Sequence, residues 1–204
     1  VFLSRKNKKL SDFTDSELIG TTSLRRKAQL LKLNPKLKIK DVRGNVDTRI
    51  KKMIEGQYDG LVMAAAGIER LKLNKHITEY LEFELFLNAP GQGAIAVEIN
   101  SKNVELDKIV STINHEKTMI CTKNERNFMK KMGGGCNYPI GAHSYLNEGK
   151  LILEGIVLSL DGKKSIKHRV ESSNLNEDLS IDLSKKFNEE NVIDLINEID
   201  NEIK

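Results

Sequence analysis

Arginine recurs where the predicted strands of this chain give way to predicted helices, although lysine is the commoner cation. Arg25 and Arg26 occupy the first such place, Arg43 and Arg49 the second, and Arg70 the third. A guanidinium group binds carboxylates and phosphates through paired hydrogen bonds, which a lysine ammonium does not match. Because ligands of open α/β sheets bind beyond the carboxyl ends of the strands, we expect these arginines to bind a polyanion at one edge of a sheet.

The first arginine pair is predicted to lie at the start of a helix. Thr21, Thr22 and Ser23 are typical of a helix N-cap, and Arg25 and Arg26 then fall in the first turn. Positive charge at that end opposes the helix dipole. Free N–H groups, hydroxyls and guanidinium groups together favour an anion-binding site. Two solvated surface arginines are the simple alternative when the pair is taken alone.

One cysteine follows three consecutive glycines at residues 133 to 135. Glycine lets the backbone come close to a ligand, so Cys136 is predicted to be exposed. A buried structural cysteine is the alternative, and it is the interpretation favoured for Cys121 in a predicted helix. The four histidines show no recognisable relation to Cys136, which argues against a cysteine–histidine catalytic pair.

The first half of the chain alternates between strand and helix patterns. The predicted segments are an extended lead-in at 1–20, a helix from 24 to 34, a strand at 37–42, a helix at 46–55, a strand at 58–65 and a helical segment at 66–70. This alternation with short loops predicts an α/β domain with a mainly parallel sheet, in the manner of a periplasmic-binding-protein-like lobe.

The second half has a different pattern. After a glycine and proline break at 89–93, the predicted segments are a strand at 94–99, helices at 104–113 and 115–131, strands at 140–145, 151–160 and 164–171, and helices at 178–186 and 192–199. The turn at 161–162 predicts a hairpin. We therefore expect a small α+β domain with a roughly three-stranded antiparallel sheet backed by helices.

Composition argues against several functional classes. A net charge of +4, with 5% aromatic residues and no tryptophan, is weak support for nucleic-acid binding. Mean hydropathy is -0.41, without the apolar run of ~20 residues that a membrane span needs. The two cysteines suit neither a disulfide scaffold nor a zinc site. We expect a soluble protein in a reducing compartment, with no metal, nucleic acid or membrane as partner.

Five short segments form a specific combination. They are GTTSLRR at 20–26, VRGNVDTR at 42–49, AAGIERL at 65–71, APGQGAI at 89–95 and GGCNYPIG at 134–141. In order and spacing they resemble the porphobilinogen deaminase (hydroxymethylbilane synthase) family, over most of residues 17 to 145. Beyond residue 145 only the pattern of strands and helices is similar.

The resemblance implies a transferase that joins four porphobilinogen molecules head to tail, with loss of ammonia, to give hydroxymethylbilane for haem and other tetrapyrroles. It implies a dipyrromethane cofactor bound through a thioether to Cys136. Every pyrrole ring carries an acetate and a propionate, so the growing polypyrrole chain is a polyanion. The implied cofactor ligands are Ser23, Arg25, Arg26 and Arg70. The implied substrate ligands are Thr21, Thr22, Gln92, Arg43 and Arg49, and the last two are also implied to act in catalysis.

The resemblance also implies a domain organisation. Residues 1–88 correspond to the second of three domains, an anion-binding lobe, and residues 111–204 to the third, which carries the cysteine loop. Residues 89–110 correspond to a crossing that returns to the N-terminal domain. That domain supplies an aspartate for the cationic intermediates in the family and is expected to precede this chain. We therefore expect the chain alone to be inactive. We also expect the protein to be a monomer in the cytoplasm or a plastid.

Two other functions remain open at this point. A two-lobed anion-binding protein has the same α/β architecture and would leave Cys136 as a free thiol. A basic RNA-binding fragment would lose RNA affinity steeply with added salt. A covalent adduct of about two pyrroles on the cysteine would favour the enzyme over both.

Overall fold

The structure, a computed structural model, describes residues 1–133, 135 and 137–203. The strands are β1 (Phe2–Ser4), β2 (Leu18–Gly20), β3 (Lys38–Lys40), β4 (Gly60–Val62), β5 (Ile140–Asn147), β6 (Lys150–Leu158) and β7 (Ser165–Ser172). The α-helices are α1 (Leu24–Leu33), α2 (Val46–Ile54), α3 (Ala65–Arg70), α4 (Val104–Ser111), α5 (Glu116–Lys131), α6 (Ser180–Glu189) and α7 (Val192–Ile203). Among the described residues, no helix combines the length and the apolar character that crossing a bilayer requires.

The first sheet is mixed, with mostly parallel pairing, as predicted. Its strand order is β1-β4-β2-β3. β2 is parallel to both β3 and β4, whereas β1 is antiparallel to β4. A helix follows each of the three parallel strands, α1 after β2, α2 after β3 and α3 after β4. The connections from strand to helix therefore all lie at one edge of the sheet.

Side-chain caps fix where the first two helices begin. The Ser23 hydroxyl accepts a hydrogen bond from the backbone N–H of Arg26 at 3.4 Å. The Asn45 side chain does the same for the N–H of Thr48 at 2.9 Å. Such caps satisfy N–H groups that have no partner within the helix. The first turns of α1 and α2 are thus held at the carboxyl edge of the sheet.

The second sheet is antiparallel, with β5, β6 and β7 in chain order. The predicted hairpin is the β6–β7 pair. Helices α5, α6 and α7 cover one face, where the buried side chains include Phe128, Leu153 and Phe187. The predicted three-stranded α+β arrangement is confirmed.

The two halves of the chain pack directly on each other. The buried side chains that join them are Ala28 on α1, Leu87, Ile156 and Leu158. The β6–β7 turn lies against the backbone of α1, because a Cβ on Gly162 would be only 2.4 Å from the carbonyl oxygen of Ala28. Gly162 has φ of 73°, which also favours glycine. On the same side, Lys32 Nζ donates to Ser165 Oγ at 2.5 Å.

The predicted strand at residues 94–99 is wrong. These residues form no strand, and Ile95 is 92% exposed and Val97 55% exposed. A strand needs a neighbouring strand for its backbone hydrogen bonds, and the described residues supply none at this segment. Helix α4, which follows, has no buried residue. The whole segment from 94 to 114 therefore lies on the surface.

The predicted lead-in at residues 1–20 contains two strands that the sequence pattern did not reveal. β1 and β2 are three residues long, and the helical turn Leu10–Asp12 separates them. The predicted strands at 37–42 and 58–65 shorten to three residues each. Alternation between polar and apolar residues cannot be recognised over such short segments.

Gly155 in β6 gives a stability prediction. A Cβ at this position would lie 2.7 Å from the buried Phe128 ring, so Gly155→Ala is expected to lower the free energy of unfolding by about 1–3 kcal/mol. Gly67 in α3 is the matched control, since an added Cβ there meets only Val46 at 3.5 Å. Gly67→Ala is expected to be neutral or to add up to ~1 kcal/mol, because alanine favours a helix. Urea unfolding measures both, and equal effects would contradict the packing described for Phe128.

Candidate functional site

The arginines predicted to bind an anion lie at the carboxyl edge of the first sheet. Arg25 and Arg26 are in the first turn of α1, Arg43 follows β3, and Arg49 is in α2. Arg25 is buried, Arg26 and Arg49 are partly buried, and Arg43 is exposed. Four of the five predicted arginines are therefore on the first two strand-to-helix connections.

Arg26 is held in place by hydrogen bonds from both ends of its guanidinium group. One nitrogen donates to the carbonyl oxygen of Val62 at 2.9 Å, and the other to Gln92 Oε1 at 3.2 Å. Burial, and secondly the charge of Arg49, lower the pKa of Arg26 to about 10. The group still carries its positive charge near neutral pH. Burial without a counter-charge is unfavourable, so a bound anion would stabilise this arrangement.

The positive charge of three of these arginines is not balanced by acidic side chains in the part of the chain that the structure describes. Across residues 1–133, 135 and 137–203, neither Arg26, Arg43 nor Arg49 forms an ion pair. Arg49 instead donates through Nε to the carbonyl oxygen of Gly44 at 2.7 Å. Asp47 is exposed in the first turn of α2, where a negative charge favours the helix dipole. The excess positive charge is what a ligand with several carboxylates requires.

Arg25 points toward the second half of the chain. Its Cδ would lie 3.3 Å from a Cβ on Gly141 in β5. With Arg26 it lines a small cleft that also includes Asn88 and Gln92. The cleft therefore lies between the arginine-bearing helix and the segment that contains Asn88 and Gln92, and Arg25 extends from it toward β5.

The hydroxyl residues before α1 serve mainly the local backbone. Thr21 is buried, and its Oγ1 accepts from the N–H of Ser23 at 3.3 Å. Ser23 is the N-cap, and Thr22 is exposed. Of these three predicted ligands, only Thr22 and Ser23 have surface available to a bound molecule.

Two predicted residues are not part of the arrangement described so far. Arg70 is exposed in the last turn of α3, and within the described residues it forms no hydrogen bond or ion pair. The sequence pattern assigned it to the third strand-to-helix connection, whereas it lies at the far end of the six-residue helix α3, away from the strand end. Cys136, the predicted attachment point, lies outside the described residues.

A larger cavity of about 490 Å³ lies beside the cleft and shares Asn88 and Gln92 with it. Glu125 of α5 lines this cavity and is 6% exposed. Burial raises its pKa, and the backbone N–H groups of Gly91 and Ser144 partly oppose that change. Cys121, predicted to be buried, is only partly buried and lines the same cavity.

An aromatic stack forms one wall of the larger cavity. The His143 ring lies between Phe83 and Tyr145, with ring centroids 3.8 and 5.2 Å away. Burial lowers the pKa of His143, so the ring is neutral near pH 7. Its 3.8 Å approach to Glu125 is therefore a polar contact and not an ion pair.

Sequence reasoning missed two buried polar residues, Gln29 and Glu125. Gln29 of α1 is 2% exposed and is hydrogen-bonded to both backbone groups of Leu87. A signal for burial was present at Glu125, because Phe128 follows it at helical spacing on the same face of α5. For Gln29 the spacing gives no such signal, since the residue one turn before it is Arg25.

Two family models match this chain. A family model described as porphobilinogen deaminase, dipyromethane cofactor binding domain, matches residues 1–108. A second, porphobilinogen deaminase, C-terminal domain, matches residues 119–190. The glycine and cysteine loop falls within the second match.

Three curated relatives, all called porphobilinogen deaminase, show how much of the chain is similar. The protein of Syntrophomonas wolfei is 46% identical over 80% of this chain, and that of Thermus thermophilus 41% over 91%. The protein of Staphylococcus carnosus is 37% identical over 97% of this chain. The matches cover 54%, 62% and 65% of the three relatives, so the chain spans less than two thirds of their length.

Proposed function

The chain belongs to the porphobilinogen deaminase family, and from this premise we propose that it forms part of a hydroxymethylbilane synthase. The proposed reaction joins four porphobilinogen molecules head to tail, with one ammonia released for each bond formed. The observation that carries the proposal is that Arg26, Arg43 and Arg49 lie at one sheet edge and form no ion pair with any described residue. Porphobilinogen and its oligomers have two carboxylates per ring and match this excess of positive charge.

The residues at the edge fit a dipyrromethane cofactor. We propose that Ser23, Arg25, Arg26 and Arg70 hold its carboxylates. Arg26 supports this role best, since it is partly buried, fixed by two hydrogen bonds and repelled by Arg49. For Arg70 the support is the family motif alone. When bound through the Cys136 sulfur, the cofactor supplies the pyrrole position to which the first substrate is joined.

The substrate side of the site is proposed to be the exposed part of the same edge. Arg43 and Arg49 would bind the carboxylates of the incoming porphobilinogen and orient it, with further contacts from Thr22 and Gln92. Thr21 would act through the backbone, since its hydroxyl is buried against Ser23. Orientation by charge-assisted hydrogen bonds lowers the entropy cost of bringing two pyrroles together.

The domain organisation inferred from the sequence is kept as part of the proposal. Residues 1–88 would be an anion-binding lobe of the periplasmic-binding-protein type, residues 89–110 a crossing, and residues 111–204 a third domain. The limits of the two family matches, 108 and 119, support a division in this region. The exposed Ile95 and Val97 support a crossing that is covered by the portion of the relatives that this chain does not span.

The proposal predicts that the 204-residue chain alone does not turn over porphobilinogen. The acid expected to stabilise a cationic intermediate belongs to the family's N-terminal domain, and Asp47, in the first turn of α2, is proposed to serve the helix dipole instead. Misplacement of reacting groups by ~1 Å can also cost ~100-fold in rate. A chimera that adds the unspanned portion of the Staphylococcus carnosus relative is expected to be active. Porphyrin formation after oxidation measures both proteins, and comparable rates for chain and chimera would refute this part of the proposal.

A non-catalytic anion-binding protein is the second candidate, because the arginine edge alone would serve it equally well. The intact mass of the chimera distinguishes the two. An adduct of two pyrrole units that is lost on Cys136→Ala supports the enzyme. A free thiol, with binding of porphobilinogen but no ammonia release, would favour the binding protein.

A further inference from the structure

The segment from Leu87 to Gln92 connects the arginine-bearing helix with the second sheet. It belongs to no strand or helix, so its backbone groups need partners from elsewhere. Its last residue, Gln92, accepts a hydrogen bond from Arg26. The position of this segment therefore bears directly on the geometry of the arginine edge.

Gln29 fixes the beginning of the segment. Its Nε2 donates to the carbonyl oxygen of Leu87 at 3.1 Å, and its Oε1 accepts from the N–H of Leu87 at 2.7 Å. Both residues are almost fully buried. The carboxamide thus replaces the partner strand that this backbone lacks.

Glu125 fixes the end of the segment. One carboxylate oxygen accepts from the N–H of Gly91 at 2.6 Å, and the other from the N–H of Ser144 in β5 at 2.8 Å. Between these points, the N–H of Ala142 donates to the carbonyl oxygen of Asn88 at 3.0 Å. α5 and β5 are the elements on either side of the loop that contains the cysteine.

Burying an amide and a carboxylate is unfavourable unless each is fully hydrogen-bonded, and here both bond to backbone on the same short segment. We infer that Gln29 and Glu125 are positioning residues, which hold the segment 87–92 so that the arginines of α1 and the elements flanking the cysteine loop keep one relative placement. This inference rests on the proposed function for its catalytic consequence, whereas its structural part can be tested without activity.

Amide hydrogen exchange on the 204-residue chain tests the structural part. Gln29→Met keeps the side-chain length and removes both hydrogen bonds, so exchange at Leu87 is expected to accelerate by roughly 5- to 10-fold or more, with Gly91 little changed. Glu125→Gln puts an NH2 group, which can only donate, in place of one of the two accepting carboxylate oxygens. Either the N–H of Gly91 or that of Ser144 then loses its acceptor. Exchange at that residue is expected to accelerate, while exchange at Leu87 is little changed. Gln57→Met and Glu116→Gln, both at exposed positions, are the matched controls.

The catalytic part is tested in the chimera, with the turnover number divided by the fraction of protein that carries the adduct. Gln29→Met and Glu125→Gln are each expected to lower that value by ~10-fold or more, with KM changed by less than ~3-fold. Gln29→Leu, which also removes both hydrogen bonds and adds no charge, provides a second variant if the Gln29→Met protein folds poorly.

The possible outcomes separate the two proposals. Unchanged exchange at Leu87 in Gln29→Met, or at both Gly91 and Ser144 in Glu125→Gln, overturns the inference, whether or not the chimera is active. If exchange accelerates as expected but turnover per adduct-bearing molecule is unchanged, Gln29 and Glu125 have a purely structural role. This result also overturns the inference. An inactive wild-type chimera with the expected exchange contradicts the proposed function and leaves the placement of the segment supported.

Discussion

Replacing Cys136 with serine in the active chimera is expected to abolish porphobilinogen turnover and to remove the covalent adduct. The thiolate is the reactive form of cysteine and is a far stronger nucleophile than a serine hydroxyl at neutral pH. Without the thioether the growing chain has no fixed starting point. Intact mass and ammonia release measure the two effects separately.

The matched control is Cys121→Ser. Cys121 is partly buried in α5, and burial raises the pKa of its thiol, so little of it is thiolate near neutral pH. The adduct and at least half of the activity are expected to remain. An adduct that persists in Cys136→Ser, or disappears in Cys121→Ser, would show that the attachment point has been assigned to the wrong cysteine.

Arg49→Leu and Arg43→Leu are each expected to reduce turnover in the chimera by at least ~100-fold. A lost charge-assisted contact to a carboxylate in a partly desolvated site is worth several kcal/mol. The cost to folding is expected to be small, because neither side chain forms an ion pair with a described residue. Arg49 loses one hydrogen bond, to the Gly44 carbonyl, which is worth about 1 kcal/mol.

Lys51→Leu is the control for the arginine variants, since Lys51 is an exposed cation on the same helix. Its activity is expected to stay within ~2-fold of the parent protein. Initial rates and thermal melting should be recorded together for all three variants. A large fall in melting temperature with unchanged rate per folded protein would mean that Arg43 and Arg49 stabilise the fold and do not contact substrate.

The fold was predictable where residues that begin or end a helix are present in the sequence. Asn45 caps α2, and Pro35 stops α1, so both helices were placed close to their observed bounds. Strand 94–99 was mispredicted because an alternating pattern specifies a strand only when a partner is available. Ile95 and Val97 have none among the described residues.

The candidate site was predictable only in part, for a related reason. The carboxyl ends of parallel strands lie at one edge of a sheet, and this rule predicted that Arg26 and Arg49 lie close together. It could be applied because it needs only the order of strands and helices along the chain. The clamping of residues 87–92 by Gln29 and Glu125 depends on which backbone groups lack partners. These backbone groups need side-chain partners only after the two halves of the chain have packed together, and no local sequence pattern indicates this need.

The contact between the β6–β7 turn and α1 has a consequence for synthesis on the ribosome. Lys32 and Ser165 are separated by 133 residues in sequence. At typical translation rates of 5–20 residues per second, the arginine-bearing helix emerges roughly 7 to 27 seconds before the turn that covers it. During that interval Gln29 and the apolar Ala28 lack part of their final surroundings. Any structure that the nascent first half forms during that interval is therefore without its contacts to the hairpin.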